Sequence, residues 1–288
     1  MTPYPTSDPL YGLLGQTLIH ALSPAMHNAA LKEINAPGAY HAFAIAPDEL
    51  PDFMQQIRTL PIRGLNVTIP YKETVIPYLD SLAPEAAAIG AVNAIYNDGT
   101  HLIGYNFDAF GFQKSLPLLP RSCQKAVVLG AGGAARSVIY ELYKTEIEVI
   151  DILCRNQSQG HKLIASLIPP ANKTVKISSL DESNWIFTSQ SAQLIINTTP
   201  IGMAPNIEFC PVQNFAQLLP ETIVIDLIYR PRRTLFLQKA GLHVNQTING
   251  LTMLLGQGAK SFALFTGQEP PLRVMQQTLE NELNEIIS

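Results

Sequence analysis

The stretch KAVVLGAGGAARSVIYELYK, Lys125 to Lys144, constrains the fold more than any other part of the chain. An apolar, β-branched run, a glycine turn and a helix-patterned run follow one another without a gap. Gly130, Gly132 and Ala135 fit the pattern G-x-G-x-x-G/A. Gly130 permits the tight turn, Gly132 lets the backbone approach a pyrophosphate, and small Ala135 lets helix and strand pack closely. The turn residues Gly130, Ala131, Gly132, Gly133 and Ala134 then face a phosphate. Free N–H groups and the macrodipole at the helix start favour an anion there. Ligand-free turns also use glycine, so the motif alone is weak. A strand before it and a helix after it make it a dinucleotide-binding unit.

The end of the next strand decides which dinucleotide. A unit selective for NAD places Asp or Glu there to hold the ribose 2′-OH. Here EVIDILC is followed by Arg155 and Asn156, and Asp151 lies inside the strand, a few residues too early. Arg155 is either a solvated loop residue or a partner for a 2′-phosphate, whose geometry suits a guanidinium. The missing acid together with the arginine favours NADP, with Asn156 beside it.

Elsewhere strand-like and helix-like stretches alternate, which predicts an α/β protein. LYGLLG, AYHAFAI and GLNVTI read as strands. SPAMHNAALKEIN reads as a helix with Ser23 as N-cap and Pro24 at its first position. DELPDFMQQIRTL is also helical in pattern, and GAVNAIYNDGTHLIGYN reads as a hairpin turned at Asn97-Asp98-Gly99. LPLLPRS reads as a loop, AQLIINTT and TIVIDLIY as further strands, and Gly250 to Ser288 as mainly helical.

NVTIPYKE, Asn66 to Glu73, is the stretch that raises a question of chemistry. Val67, Thr68 and Ile69 favour a strand, and Pro70 ends its ladder. Tyr71 and Lys72 follow directly. A solvated turn is the bland reading, and a substrate pocket at the carboxyl end of a strand is the sharp one. The stretch by itself leaves both open.

The totals exclude several classes. With 288 residues there is room for two domains, and 47% hydrophobic residues argue against disorder. Net charge is -4, and the only basic cluster is Arg230, Arg232 and Arg233. Neither nucleic acid nor an anionic membrane is an expected partner. Cys123, Cys154 and Cys210 are far apart and suggest no disulfide framework or metal site. The start, MTPYPTSDPLYG, lacks the basic and apolar regions of a signal peptide. No apolar run approaches the ~20 residues of a membrane helix. A cytoplasmic location is expected.

With NVTIPYKE, GAVNAI, GYNFDAFGF, VLGAGGAAR, LIINTTPIGM and NGLTMLLGQGAKSF in that order, the chain resembles the shikimate dehydrogenase family. The likeness runs from LLGQTLIHALSP to the terminal helices. It implies reduction of 3-dehydroshikimate to shikimate with NADPH, on the route to aromatic amino acids. It also implies an open twisted α/β substrate domain, residues 1–109 plus 250–288, and a Rossmann-like NADP-binding domain, residues 110–249, with the active site in the cleft between them. A monomer or homodimer is expected.

By the same resemblance Lys72 is the catalytic lysine and Asp108 its partner. Carbonyl reduction needs a hydride on carbon and a proton on the developing alkoxide. A lysine supplies the proton and stabilises the negative charge, and an aspartate holds the lysine in place. Which of the two transfers the proton stays open. Ser23, Asn66, Thr68, Asn93, Tyr229 and Gln257 match substrate-binding positions, and neutral groups of this kind suit a ring bearing several hydroxyls. Leu227 and Gly250 match positions whose backbone approaches the nicotinamide.

The chain departs from the family pattern in places. The usual H-S-x-S-P is His20-Ala21-Leu22-Ser23-Pro24 here, so the first of two hydroxyls for the substrate carboxylate is gone. A hydrogen bond to a charged group is worth ~1.5–3 kcal/mol, which corresponds to about a ten- to hundredfold loss in affinity. Phe107 stands where threonine is usual and Ala109 where glycine is. Two substrate readings follow: shikimate in an altered pocket, or an analogue such as quinate or an amino-substituted compound. A non-catalytic NADP-binding module is the reading from a different class, and intact Lys72 and Asp108 argue against it.

Overall fold

A computed structural model of the chain describes residues 8–117, 119 and 123–284. The chain divides into two units. One holds the residues up to Phe107 together with those from Leu255 onward, and the other is Asp108–Leu254.

The first unit begins with β1 (Leu10–Gly15), α1 (Ser23–Glu33), β2 (Ala39–Ala44), α2 (Leu50–Gln56) and β3 (Ile62–Val67). It continues with β4 (Ser81–Leu82), α3 (Pro84–Ile89), β5 (Ala94–Asn97) and β6 (Leu102–Tyr105). The sheet order is β2-β1-β3-β5-β6-β4. β1 pairs in parallel with both β2 and β3, while β3, β5 and β6 run antiparallel. All six residues of β1 are buried, as expected of a central strand covered on both faces. Leu14, Met54, Ile57, Leu65, Tyr71 and Val75 belong to one core. The hairpin forms at the expected turn: Asn97 pairs with Leu102, and the Asp98 carboxylate accepts from the Thr100 and His101 N–H groups at 2.7 and 2.8 Å.

The second unit comprises α4 (Asp108–Ser115), β7 (Lys125–Leu129), α5 (Gly133–Leu142), β8 (Val149–Cys154) and α6 (Gln157–Leu167). It then adds β9 (Thr174–Ser179), α7 (Glu182–Ser189), β10 (Leu194–Asn197), β11 (Ile223–Asp226), α8 (Leu235–Ala240) and β12 (Gln246–Ile248). The order is β12-β11-β10-β7-β8-β9, and every pairing is parallel. This is the doubly wound, Rossmann-type order, whose direction reverses between β7 and β10. Successive residues of β7 enter opposite cores: Ala126 and Val128 pack with α5, Val127 and Leu129 with Trp185 and Phe236. A parallel sheet covered on both faces needs such an unbroken apolar run. α9 (Leu251–Thr266) and α10 (Leu272–Asn284) follow, and α10 packs on α1 in the first unit. Among the described residues no helix is long and apolar enough to cross a membrane.

Some expectations need correction. Ser23 is not the cap of α1 but its first residue; Leu22 holds the cap position and no side chain caps the helix. β3 starts at Ile62 and stops at Val67, so Thr68 lies just past the strand, although its N–H still reaches Leu14 O at 2.9 Å. β9 and β12 have no counterpart in the sequence reading. TVKISS is a half-exposed edge strand and QTI is only three residues long, so neither carries an apolar run. The loop expected at LPLLPRS includes Leu118, Pro120, Arg121 and Ser122, which lie outside the described residues.

Candidate functional site

In the second unit the candidate cofactor surface is mostly backbone. β7 ends at Leu129, and Gly130 turns away with φ +107° while its N–H donates to Leu153 O at 2.8 Å. A Cβ on Gly130 would lie 2.6 Å from Thr198 Oγ1, so the turn and the end of β10 touch. Gly132 caps α5 in an extended conformation, and a Cβ there would meet nothing within 4 Å. Gly133 and Ala134 form the first turn of α5, Ala131 is buried beneath, and Ala135 has no exposure at all. The residues therefore fit a dinucleotide phosphate. Open space lies over Gly132, the first N–H groups of a ten-residue helix have no acceptor within that helix, and the turn stands at the point where strand order reverses. Thr198 and Thr199 were missed by sequence reading, although an NTT at the end of an apolar run is a strand-end signal.

Inside β8, Asp151 is tied to Lys125 on the neighbouring strand at 3.0 Å, which gives this buried acid a structural partner. Arg155 is exposed just past the strand. Asn156 caps α6, its side chain accepting from the Gln159 N–H at 3.1 Å. At the end of β11 the Leu227 N–H donates to Asn197 O at 3.0 Å and the Gly250 N–H to Ile228 O at 3.1 Å. A Cβ on Gly250 would lie 1.9 Å from Leu227 O, so only glycine fits this approach. Tyr229 is half-buried in the segment that follows.

In the first unit the corresponding surface is a network of side chains. Asn66, at the penultimate position of β3, is buried. Its Oδ1 accepts from the Tyr40 hydroxyl at 2.9 Å, and its Nδ2 donates to Ser261 Oγ at 2.7 Å and to Asn93 O at 3.2 Å. Gln257 Oε1 accepts from Asn66 Nδ2 at 3.4 Å and from Asn93 Nδ2 at 3.3 Å. Asn66, Asn93 and Gln257, distant in sequence, are thus brought together, and Tyr40 and Ser261 complete the group. His27 stacks on Tyr40 with ring centroids 4.3 Å apart. Burial pushes the His27 imidazole down to about 3, so it is neutral, and its Nε2 has no hydrogen-bond partner among the described residues. Tyr40, His27 and Ser261 carried no readable signal, because nothing local marks a polar residue that joins a network through the fold.

Lys72 sits four residues past Thr68 on a loop stitched to its neighbours. Tyr71 N–H returns to Thr68 O at 2.9 Å, the Tyr71 hydroxyl donates to Ile45 O at 2.5 Å, and Lys72 O accepts from Val92 N–H at 2.7 Å. The last bond places Lys72 beside the segment that carries Asn93. Asn93 Oδ1 in turn accepts from Phe107 N–H at 2.7 Å, and Phe107 stacks against Tyr105 at 5.7 Å. Asp108, the next residue, opens α4 and is buried; an acid suits a helix N-terminus. Lys72 belongs to the first unit and Asp108 to the second. Ser23 is buried at the start of α1, and Ala21, half-buried, donates its N–H to Leu18 O at 3.0 Å.

Two family models match the chain: the shikimate dehydrogenase substrate binding domain over residues 13–95 and the shikimate 5'-dehydrogenase C-terminal domain over residues 250–280. Shikimate dehydrogenase (NADP(+)) of Syntrophomonas wolfei is 39% identical over 287 residues, 98% of this chain and 97% of its own. Shikimate dehydrogenase of Thermus thermophilus, solved with NADP(H) and shikimate, is 32% identical with a TM-score of 0.81, covering 96% of this chain and 100% of that one. Quinate dehydrogenase of Corynebacterium glutamicum, solved with NAD, is 27% identical with a TM-score of 0.83, covering 95% and 99%.

Proposed function

The chain belongs to the shikimate dehydrogenase family, and from that premise we propose that it interconverts 3-dehydroshikimate and shikimate with NADP. The observation that carries this reading is the match to a shikimate dehydrogenase (NADP(+)) over 98% of the chain. We infer a division of labour close to the one expected from sequence, residues 1–109 plus 250–288 for substrate and 110–249 for cofactor. The division at Phe107/Asp108 and Leu254/Leu255 supports it to within a few residues.

Gly130 to Ala134, Leu227 and Gly250 would hold the NADP, with Arg155 on the 2′-phosphate and Asn156 fixing the backbone beside it through its cap. When bound, NADP supplies or takes up the hydride. The chain's own residues do the rest. Lys72 faces the oxygen on the reacting carbon, gives it a proton in reduction and takes one in oxidation, with Asp108 as its partner in that exchange. Thr68, Asn93, Gln257 and Tyr229 present neutral groups to the ring hydroxyls, and Ser23 serves the carboxylate. Asn66, with both ends of its amide already partnered by protein, acts by fixing Asn93 and Gln257.

A second reading, quinate as substrate, is favoured by the likeness to quinate dehydrogenase and by the changes at Ala21 and Phe107. Steady-state oxidation of shikimate and of quinate, each with NADP and with NAD, tests both. Fast turnover of shikimate with NADP is expected. Turnover of quinate alone would overturn the first reading in favour of the second.

A further inference from the structure

Asp226 ends β11 with no exposure to solvent. Its Oδ1 accepts from Asn197 Nδ2 at 3.0 Å and from the Ile228 N–H at 3.1 Å, and its Oδ2 accepts from the Thr234 hydroxyl at 2.6 Å. The Thr234 oxygen caps α8 by accepting from the Leu237 N–H at 3.3 Å, which leaves its one proton for Asp226. Asn197 Oδ1 accepts from the Thr199 N–H at 3.0 Å and the Thr199 hydroxyl at 2.7 Å. One run of hydrogen bonds therefore links the start of α8, the Leu227–Tyr229 segment, the end of β10 and the turn that touches Gly130. All the donors are neutral, and among the described residues no cation pairs with the carboxylate. Among the described residues the Cys210 thiol senses it: burial chiefly raises that thiol, a bond from the Val212 N–H and then Lys239 on α8 oppose the shift, and Asp226 and Glu182 on α7 add to it.

We propose that Asp226 is a positioning residue for the cofactor end of the second unit, its carboxylate holding the Leu227–Tyr229 segment and the Thr198–Thr199 turn in one arrangement. The inference rests on the reading of Leu227, Gly250 and the Gly130 turn as cofactor-facing. It goes beyond that reading by giving the buried acid a task that no ligand contact requires. Three donors aim at the two oxygens, so the geometry suits the ionised form. Once protonated, the carboxyl has one fewer acceptor to offer, and a donor must turn away. Burial pushes this carboxyl up to about 7, against the pull of Thr234, Ile228 N–H and Asn197. The hold is therefore set near neutral pH. The stability sign is opposite to the usual aspartate case. A carboxyl raised above its unfolded value stabilises the fold below about pH 4 and loses that contribution as pH rises through about 7.

The test is NADP+ binding to the full chain by calorimetry between about pH 5.5 and 8.5, with thermal unfolding at each pH. Asp226→Asn keeps the shape and removes the charge. Relative to wild type it is expected to bind NADP+ about three- to tenfold more weakly at the alkaline end and equally at the acid end. It should also lose the fall in thermal stability that wild type shows between about pH 5.5 and 7. Thr234→Val, which removes the donor and leaves Asp226, should show the same alkaline weakening, and Thr234→Ser should restore binding. These variants carry the test if Asp226→Asn does not fold. Wild-type pH dependence of binding in both Asp226→Asn and Thr234→Val, or in Thr234→Val where Asp226→Asn does not fold, would overturn this inference alone. A wild-type chain that binds no NADP+ at any pH would overturn the cofactor reading and this inference with it.

Discussion

In the second unit the candidate cofactor surface is made by bringing backbone close: Gly130 against Thr198, Gly250 against Leu227 O, and an open position at Gly132. In the first unit the candidate substrate surface is made by side chains that meet from far apart in sequence, Asn66 bonding Gln257 and Ser261 across 191 and 195 residues. The two constructions fail in opposite ways. A backbone cradle is damaged by adding atoms, since its specificity lies in what is absent. A side-chain network is damaged by removing them, since each loss leaves buried partners unsatisfied.

The largest expected effect separates the two units outright. Lys72→Ala should lower kcat by about a hundred- to ten-thousandfold, the range of general acid–base catalysis, while NADP+ affinity stays at the wild-type value. Parallel kinetics and calorimetry check this. Loss of NADP+ binding in that variant would mean the division between the units is wrong, and unchanged turnover would remove Lys72 from the chemistry.

Two glycines sharpen the comparison inside the second unit. Gly132→Ala meets no protein atom within 4 Å and needs no unusual backbone angle, so its thermal stability should be unchanged. Its NADP+ affinity should nonetheless fall about tenfold or more, because the methyl group would occupy space over the helix N-terminus. Gly250→Ala would put a methyl carbon 1.9 Å from Leu227 O, so it should lose stability, by about 1–3 kcal/mol, as well as affinity. Equal melting curves for the two variants would undo the distinction between a ligand-facing and a packing glycine.

These differences explain what could be read in the sequence. The glycine turn, β7, β8, β10, β11 and the missing acid at the end of β8 were legible because a parallel sheet writes its strands as local apolar runs and its ligand turn as local glycines. The motif resemblance supplied Lys72, Asp108, Asn93 and Gln257 as positions, but it gave no account of what holds them. Tyr40, Ser261 and His27 stayed hidden, since a hydrogen bond across the fold leaves no periodic mark. Asp226 stood in view as an acid in the apolar run IVIDLI, yet only the three donors around it give it meaning. The Ser23 cap failed because Pro24 fixed the helix start while Leu22, with no capping side chain, took the cap position.

The first unit yields a prediction of intermediate size. Asn66→Ala would remove one acceptor of the Tyr40 hydroxyl and the donor to Ser261 and Gln257, in a buried setting. A cost of about 1–3 kcal/mol in stability is expected, with a raised KM for shikimate and an unchanged Kd for NADP+. Urea unfolding and the two constants together test it. An altered NADP+ Kd would show that the side-chain network reaches beyond its own unit.

The smallest effect concerns Ala21. If the carboxylate of the substrate lies at the start of α1, the buried Ser23 gives one hydroxyl there and Ala21 gives none. Ala21→Ser adds one oxygen to a half-buried position whose backbone is already fixed by the bond to Leu18 O, so the fold should accept it without loss of stability. A recovered hydrogen bond to a charged group would lower KM for shikimate by up to about tenfold and leave kcat nearly unchanged, because the contact is equal in ground and transition states. The same substitution tells the two substrate readings apart. A gain for shikimate alone means that the wild-type pocket is a shikimate pocket short of one donor. A gain for shikimate and quinate alike means that the carboxylate end does not discriminate, and the choice between them then falls to Phe107, whose ring lies against Tyr105 next to Asp108.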